Sequence, residues 1–227
     1  AYENGISVTL RGGGTSQCGQ TVGEGIIVDV SKNLKSLVSV DPEKRQATVQ
    51  PGIVLDQLNA LLKQHGLFFP VDVSTSSRAT IGGMTANNSC GARSIRYGKM
   101  VDNVGEVDAV LADGSSMRFG NWDDGTASAV PQRQQELVSQ LIDLGTRESE
   151  EVAKRFPRVQ RRVGGYNLDM LSAESGSSLN LAQLLVGSEG TLAVSSQITL
   201  NLQPIPDHKV LGVCHFPTFY PVSYTHL

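Results

Sequence analysis

TIGGMTANNSCGARSIRYG, residues 80–98, is the stretch on which the reading of this chain turns. It sets Gly82, Gly83, Gly91 and Gly98 among Asn87, Asn88, Ser89 and Tyr97, with little aliphatic content after Met84. Glycine reaches positive φ at no steric cost and lets a ligand approach the backbone closely. Asn and Ser contribute short hydrogen-bonding arms. A segment this polar, placed between apolar elements, predicts a loop wrapped around a polar cofactor, with a plain surface loop as the alternative.

Upstream, RGGGTSQCGQ (residues 11–20) follows an alternating apolar–polar run at residues 6–10 that predicts a strand. Three consecutive glycines after a strand make a tight turn whose N–H groups can converge on an anion. Residues 14–21, GTSQCGQT, have phosphate-loop spacing, but Gln20 stands where the lysine belongs and GIIVDV (residues 25–30) continues as a buried strand, not a helix. The dinucleotide fingerprint fails too, because Gln17 occupies its third glycine position. A phosphate cradle of another kind, or a glycine-rich hairpin loop, remains.

Further along, residues 37–40 and 46–50 predict a hairpin through Asp41-Pro42. Val54, Leu58, Leu61 and Leu62 predict one face of a helix over 53–65 that stops at Gly66. Residues 70–77, PVDVSTSS, form a polar loop of short donors and acceptors. A strand over 104–111 turns back at Asp113-Gly114. Residues 131–156 predict a helix with Leu137, Leu141 and Leu144 on one face and a break near Gly145; 180–185 predict a short helix. VGSEGTL (186–192) is a second glycine-framed turn before a strand over 193–202, and KVLGVCHF (209–216) reads as a further strand. Arg155, Arg158, Arg161 and Arg162 cluster, usually the sign of a solvated face and less often of an anion site. Irregular alternation with hairpins predicts an α+β fold with mixed sheets.

At 227 residues with 39% hydrophobic and 18% charged content, the chain can build a real core. A net charge of −3 and the lack of a basic stripe argue against a nucleic-acid partner. Cys18, Cys90 and Cys214 are too scattered for a disulfide framework or a metal knuckle, so no metal is expected. The expected location is cytoplasmic, with a peripheral position at an inner membrane as the alternative. Both ends read as cut, with residues 1–206 as one domain and 207–227 as the start of a second, truncated cap or substrate domain.

RGGGTS (11–16), ATIGGMTANNSCG through RYG (79–98) and VGSEGTLAV (186–194), in this order, resemble the FAD-linked oxidase family with the p-cresol methylhydroxylase/vanillyl-alcohol oxidase fold. GYNLDML (165–171) adds a likeness to bacterial D-2-hydroxy-acid dehydrogenases acting on D-lactate, glycolate or D-2-hydroxyglutarate. The resemblance implies two α/β subdomains with FAD between them. It places Gly12, Gly13, Gly14, Thr15 and Ser16 at the pyrophosphate, and Pro70, Asp72, Ser74 and Thr75 in the preceding loop. Thr80, Ile81, Gly82, Gly83, Asn88 and Gly91 would follow the ribityl chain and the ring. Gly187, Glu189, Gly190 and Val194 would close the site. With no His in these loops, non-covalent FAD is implied, a cysteinyl link through Cys90 being the alternative. An FAD-dependent dehydrogenase or oxidase acting on CH–OH groups follows, with a small 2-hydroxy acid as substrate and a quinone, cytochrome or iron–sulfur module as electron acceptor. Its acid–base and carboxylate-binding residues would lie outside residues 1–227, so no catalytic residue is assigned; a flavin-binding module without its own activity is the second reading.

Overall fold

The computed structural model describes residues 1–171 and 179–218. Strands β1 (Val8–Arg11) and β2 (Ile26–Asp29) pair in parallel, with Val8 opposite Ile26 and Arg11 opposite Asp29. Parallel neighbours require a crossover and cannot be joined by a tight turn. The glycine-rich segment between them is therefore not a hairpin loop. β2 was expected to be buried, yet Ile26, Ile27 and Val28 are 44%, 40% and 37% exposed. A two-stranded sheet offers no third strand, and little else packs over this pair.

Strands β3 (Leu37–Asp41) and β4 (Gln46–Val49) form the expected hairpin; Asp41 accepts the Lys44 N–H at 3.0 Å and Arg45 closes the turn at φ 53°. Helix α1 (Leu55–Leu62) buries Leu55, Leu58 and Leu62. Leu61 was expected on that face but is 45% exposed, since it lies about 100° around the helix from Leu62. Gly66 at φ 69° terminates the helical stretch ahead of β5 (Leu67–Phe68).

The segment 80–98 is not the loop the sequence suggests. It folds into α2 (Ile81–Ala86) and α3 (Ser94–Tyr97), followed by α4 (Met100–Asn103). Thr80 caps α2 by accepting the Gly83 N–H at 3.3 Å, while Ile81, Met84 and Thr85 are buried. Two glycines cost a helix about 1 kcal/mol each; burial of this apolar face outweighs that penalty.

β6 (Val104–Leu111) and β7 (Ser116–Phe119) form the hairpin through Gly114, which sits at φ 84°. After β8 (Asn121–Trp122) come α5 (Asp124–Ala129), α6 (Gln132–Arg147) and α7 (Ser149–Arg155). The break falls at Glu148 rather than at Gly145, which stays helical and packs on Leu171. Val138 and Gly145 are the buried positions of α6, with Leu137, Leu141 and Leu144 only half-buried. β9 (Leu179–Asn180) and α8 (Ala182–Leu185) precede β10 (Ala193–Asn201) and β11 (Gln203–Pro204). The expected helix over 180–185 is thus shorter and starts after a two-residue strand paired with β8.

The main sheet has the order β3-β4-β10-β6-β7 and is antiparallel throughout. Val49, Val107, Ile198 and Leu200 join Leu58, Leu62, Ile81, Met84 and Leu185 in one core. Residues 209–216, expected as a strand, form none in the structure, and Val210 and Leu211 are 95% and 88% exposed. The architecture is α+β: a helix-backed antiparallel sheet beside a small parallel β-unit. Among the described residues no helix is long and apolar enough to cross a membrane.

Candidate functional site

A cleft enclosing about 270 Å³ separates the β1–β2 unit from the main sheet and its helices. Leu10, residues 12–16, Gln20, Thr21 and Val30 form one wall; Pro51, Val73, Thr75, residues 79–80 and most of residues 82–89 form the other. Leu185, residues 188–190, Ala193 and Ser195 close its end. Helix formation at 81–86 is what turns Thr80, Gly82 and Gly83 toward this space while Ile81 enters the core.

Close approach explains the glycines on the first wall. A Cβ on Gly12 would stand 2.3 Å from Thr80 Oγ1, and one on Gly13 would stand 2.2 Å from the Arg78 carbonyl oxygen. Gly14 takes φ 63°, a conformation that favours glycine. No protein acceptor among the described residues takes the N–H groups of Gly13, Gly14, Thr15 or Ser16. Successive unpaired N–H groups around a left-handed residue make a concave anion site.

The end wall is a left-handed turn with Gly187, Glu189 and Gly190 at φ 85°, 53° and 77°. It is fastened to α2 by two bonds, Gly187 N–H to the Thr85 carbonyl at 2.9 Å and Glu189 N–H to the Ala86 carbonyl at 3.0 Å. Buried Asn167 holds the same turn from behind, donating to the Gln183 and Val186 carbonyls at 3.1 and 2.8 Å. Tyr166 shares a hydrogen bond with Thr191 at 2.8 Å. The GYNLDML segment is thus a brace for the end wall.

Gly12, Gly13, Gly14, Thr15, Ser16, Thr75, Thr80, Gly82, Gly83, Glu189 and Gly190 therefore meet at one cleft. Pro70, Asp72, Ser74, Ile81, Asn88, Gly91, Gly187 and Val194 lie outside its lining. Several of these support it: Asp72 accepts the Arg93 N–H at 3.0 Å, and a Cβ on Gly91 would strike the Asp72 carbonyl at 2.1 Å. Asn88, fully buried at φ 49°, accepts the Val101 N–H at 3.1 Å and fastens α2 to α4. Val194 alternates along β10 with Ala193 and Ser195, which line the cleft in its place; strand alternation could have flagged them. Gln20, Asn87 and Ser89 also line the cleft, and only their polarity within the quoted motifs hinted at it.

Glu189 is the single ionisable side chain among the described lining residues. Just outside, Asp29 at the end of β2 is held below the ordinary carboxylate range by the Ser31 hydroxyl and N–H, which donate to it at 2.6 and 3.0 Å. Cys90 does not line the cleft. In the arginine cluster, Arg162 pairs with Asp169 and stacks on Phe156 at 4.6 Å, Arg155 pairs with Glu151, and Arg158 and Arg161 are exposed. The cleft can thus hold a polar, anionic molecule; among the described residues its lining contains no acid–base pair.

Residues 1–120 match the family model described as FAD binding domain. The chain belongs to this FAD-binding domain family, and FAD is its cofactor. It is 38% identical over 217 residues to a D-2-hydroxyglutarate dehydrogenase of Pseudomonas putida, covering 94% of this chain and 22% of that protein. It is 32% identical over 215 residues to a mitochondrial D-lactate dehydrogenase (cytochrome) of Arabidopsis thaliana, covering 94% of this chain and 29% of that one. The chain thus spans between a fifth and a third of these curated relatives' length. Among solved structures, an alkyldihydroxyacetonephosphate synthase superposes with a TM-score of 0.60 at 18% identity, over 92% of this chain and 31% of that one, which establishes the fold.

Proposed function

We propose that this chain serves as the FAD-binding part of a flavoprotein that oxidises a D-2-hydroxy acid to the 2-oxo acid. The observation that carries the cofactor site is the row of unpaired N–H groups over residues 13–16, held against Thr80 and Arg78 by glycines that leave no room for a Cβ. The pyrophosphate of FAD has the charge and size for that row. Thr75, Thr80, Gly82, Gly83, Glu189 and Gly190 flank the remaining length of the dinucleotide, while Asp72, Asn88, Gly91, Gly187 and Val194 hold those walls in place. When bound, FAD supplies a redox ring able to accept a hydride. The chain's own residues bind and orient it and keep water from its buried side.

The choice of a 2-hydroxy acid rests on the names of the relatives. In this reading the substrate's carboxylate clamp and proton acceptor belong to another part of the protein, since the described lining of the cleft offers neither a cation nor an imidazole. Flavin attachment is non-covalent in this reading. An absorbance spectrum of the purified chain with FAD, before and after acid precipitation, tests it. Flavin bands that leave with the acid supernatant are expected; a folded protein that stays colourless at saturating FAD refutes the assignment. The complete reading frame, assayed on D-2-hydroxyglutarate, D-lactate and glycolate with an artificial electron acceptor, tests the substrate class; turnover of none of them refutes it.

A further inference from the structure

Gln20 stands where a phosphate loop would carry its lysine, yet neither reading of the glycine-rich segment gives it a task. In the fold its side chain reaches across the cleft: Nε2 donates to Asn87 Oδ1 at 3.3 Å. Asn87 is the residue that ends α2, so this bond joins the loop wall to the helix wall. Both residues line the cleft. Beside that bond, Gln20 Oε1 is buried and meets no protein donor. A buried amide atom without a partner is costly, and such an atom in a native fold calls for a missing partner. Asn88 Nδ2 is a second orphan of this kind, but Asn88 lies outside the cleft lining. Turning the Gln20 and Asn87 amides end for end together keeps a donor–acceptor pair between them and leaves a buried unpaired N–H on Gln20 in place of the unpaired oxygen.

We propose, resting on the FAD reading above, that Gln20 is a binding residue for the dinucleotide and that its pairing with Asn87 forms a clasp completed by the cofactor. The unpaired heteroatom takes a hydroxyl group of FAD's sugar or ribityl portion. A hydroxyl can donate or accept, so it satisfies either end of the amide. Neutral glutamine also suits a position next to a loop built for phosphate. A lysine there would add charge, whereas the unpaired N–H groups of residues 13–16 are already available to an anion.

The test measures FAD affinity by quenching of flavin fluorescence, together with thermal melts of the chain with and without FAD. Gln20→Leu is expected to raise the dissociation constant about tenfold, the worth of one buried hydrogen bond. The cofactor-induced rise in Tm should shrink by more than the melt without FAD changes, because in that melt the loss of the bond to Asn87 is offset by removal of an orphaned buried acceptor. Gln17→Leu, an exposed position on the same loop, should bind as the parent does. A double-mutant cycle with Asn87→Ala should show coupling between the two positions that grows when FAD is present. Wild-type affinity in Gln20→Leu overturns the proposal, as does an affinity loss that only mirrors a fall in the FAD-free melt. Failure of the parent chain itself to bind FAD is a different result and refutes the cofactor site as a whole.

Discussion

Replacing Gly13 by alanine probes the cradle directly. The new Cβ would lie 2.2 Å from the Arg78 carbonyl oxygen, and real Cβ contacts essentially never fall below 3.0 Å, so the walls must part by about 0.8 Å. Arg78 cannot yield easily. Its N–H and that of Ala79 both donate to the Thr75 carbonyl at 2.8 Å, and the Ala79 carbonyl accepts the Leu55 N–H at 3.0 Å. Overpacking of this kind costs about 1–3 kcal/mol. Since the strain is relieved by opening the cleft, the same cost should weaken FAD binding by roughly 5- to 150-fold. Fluorescence titration with FAD and a thermal melt measure the two effects together. Gly114→Ala is the control: its φ of 84° makes alanine strained by about 1–2 kcal/mol, but nothing stands within 4 Å of the added Cβ and Gly114 does not line the cleft. It should lower Tm and leave FAD affinity alone. A Gly13→Ala chain with parental Tm and affinity would refute the close approach, and one with a lower Tm but parental affinity would refute the cradle.

Two further outcomes follow from the fold. Gly145→Ala in α6 should gain about 1 kcal/mol of helix propensity yet lower Tm, because the added Cβ would meet Leu171 Cβ at 2.6 Å and its carbonyl oxygen at 2.7 Å, an overlap worth about 1–3 kcal/mol. Asp29, Asp113 and Asp123 are each held below their ordinary pKa of 3.8, chiefly by the hydroxyls of Ser31, Ser115 and Thr126, so their stabilising contribution is complete above pH 3.8 and is lost as pH falls below it through the folded-state values; melts taken down through that range should show a steeper fall for the parent than for an Asp113→Asn, Asp123→Asn double variant.

Much of the architecture was legible because local chemistry forces it. Asp113-Gly114 demands a hairpin, Gly66 ends a helix by taking positive φ, and alternating residues over 104–111 can satisfy both a core and a solvent face only as a strand. The errors are equally physical. Glycine and asparagine content at 80–98 suggested a loop, but burial of Ile81, Met84 and Thr85 under a Thr80 cap carries short helices through it. Gly145 was read as a breaker because propensity counts only the backbone, while its reason for being glycine is Leu171, a residue far along the chain. Exposure of β2 depends on what packs over it, and no period in the strand's own residues reports that.

For the site, sequence order alone determined that three glycine-framed motifs exist and that each can present backbone N–H groups or tolerate positive φ, since those are properties of single residues and their immediate neighbours. Whether the motifs meet was decided by tertiary structure. The parallel pairing of β1 with β2 rules out a simple hairpin, and the distance from Gly13 to Arg78 is set by the packing of two units. Asn88, expected at the cofactor, is fully buried outside the cleft lining, and its side-chain oxygen accepts the Val101 N–H. Ser195 lines the cleft and Val194 does not, because neighbouring side chains of β10 point to opposite faces and the packing of the sheet decides which face meets the cleft. The Gln20–Asn87 bond joins residues 67 positions apart. Contacts across such separations arise only once the intervening chain has folded, and so their partners could not be read from the local pattern that named the motifs.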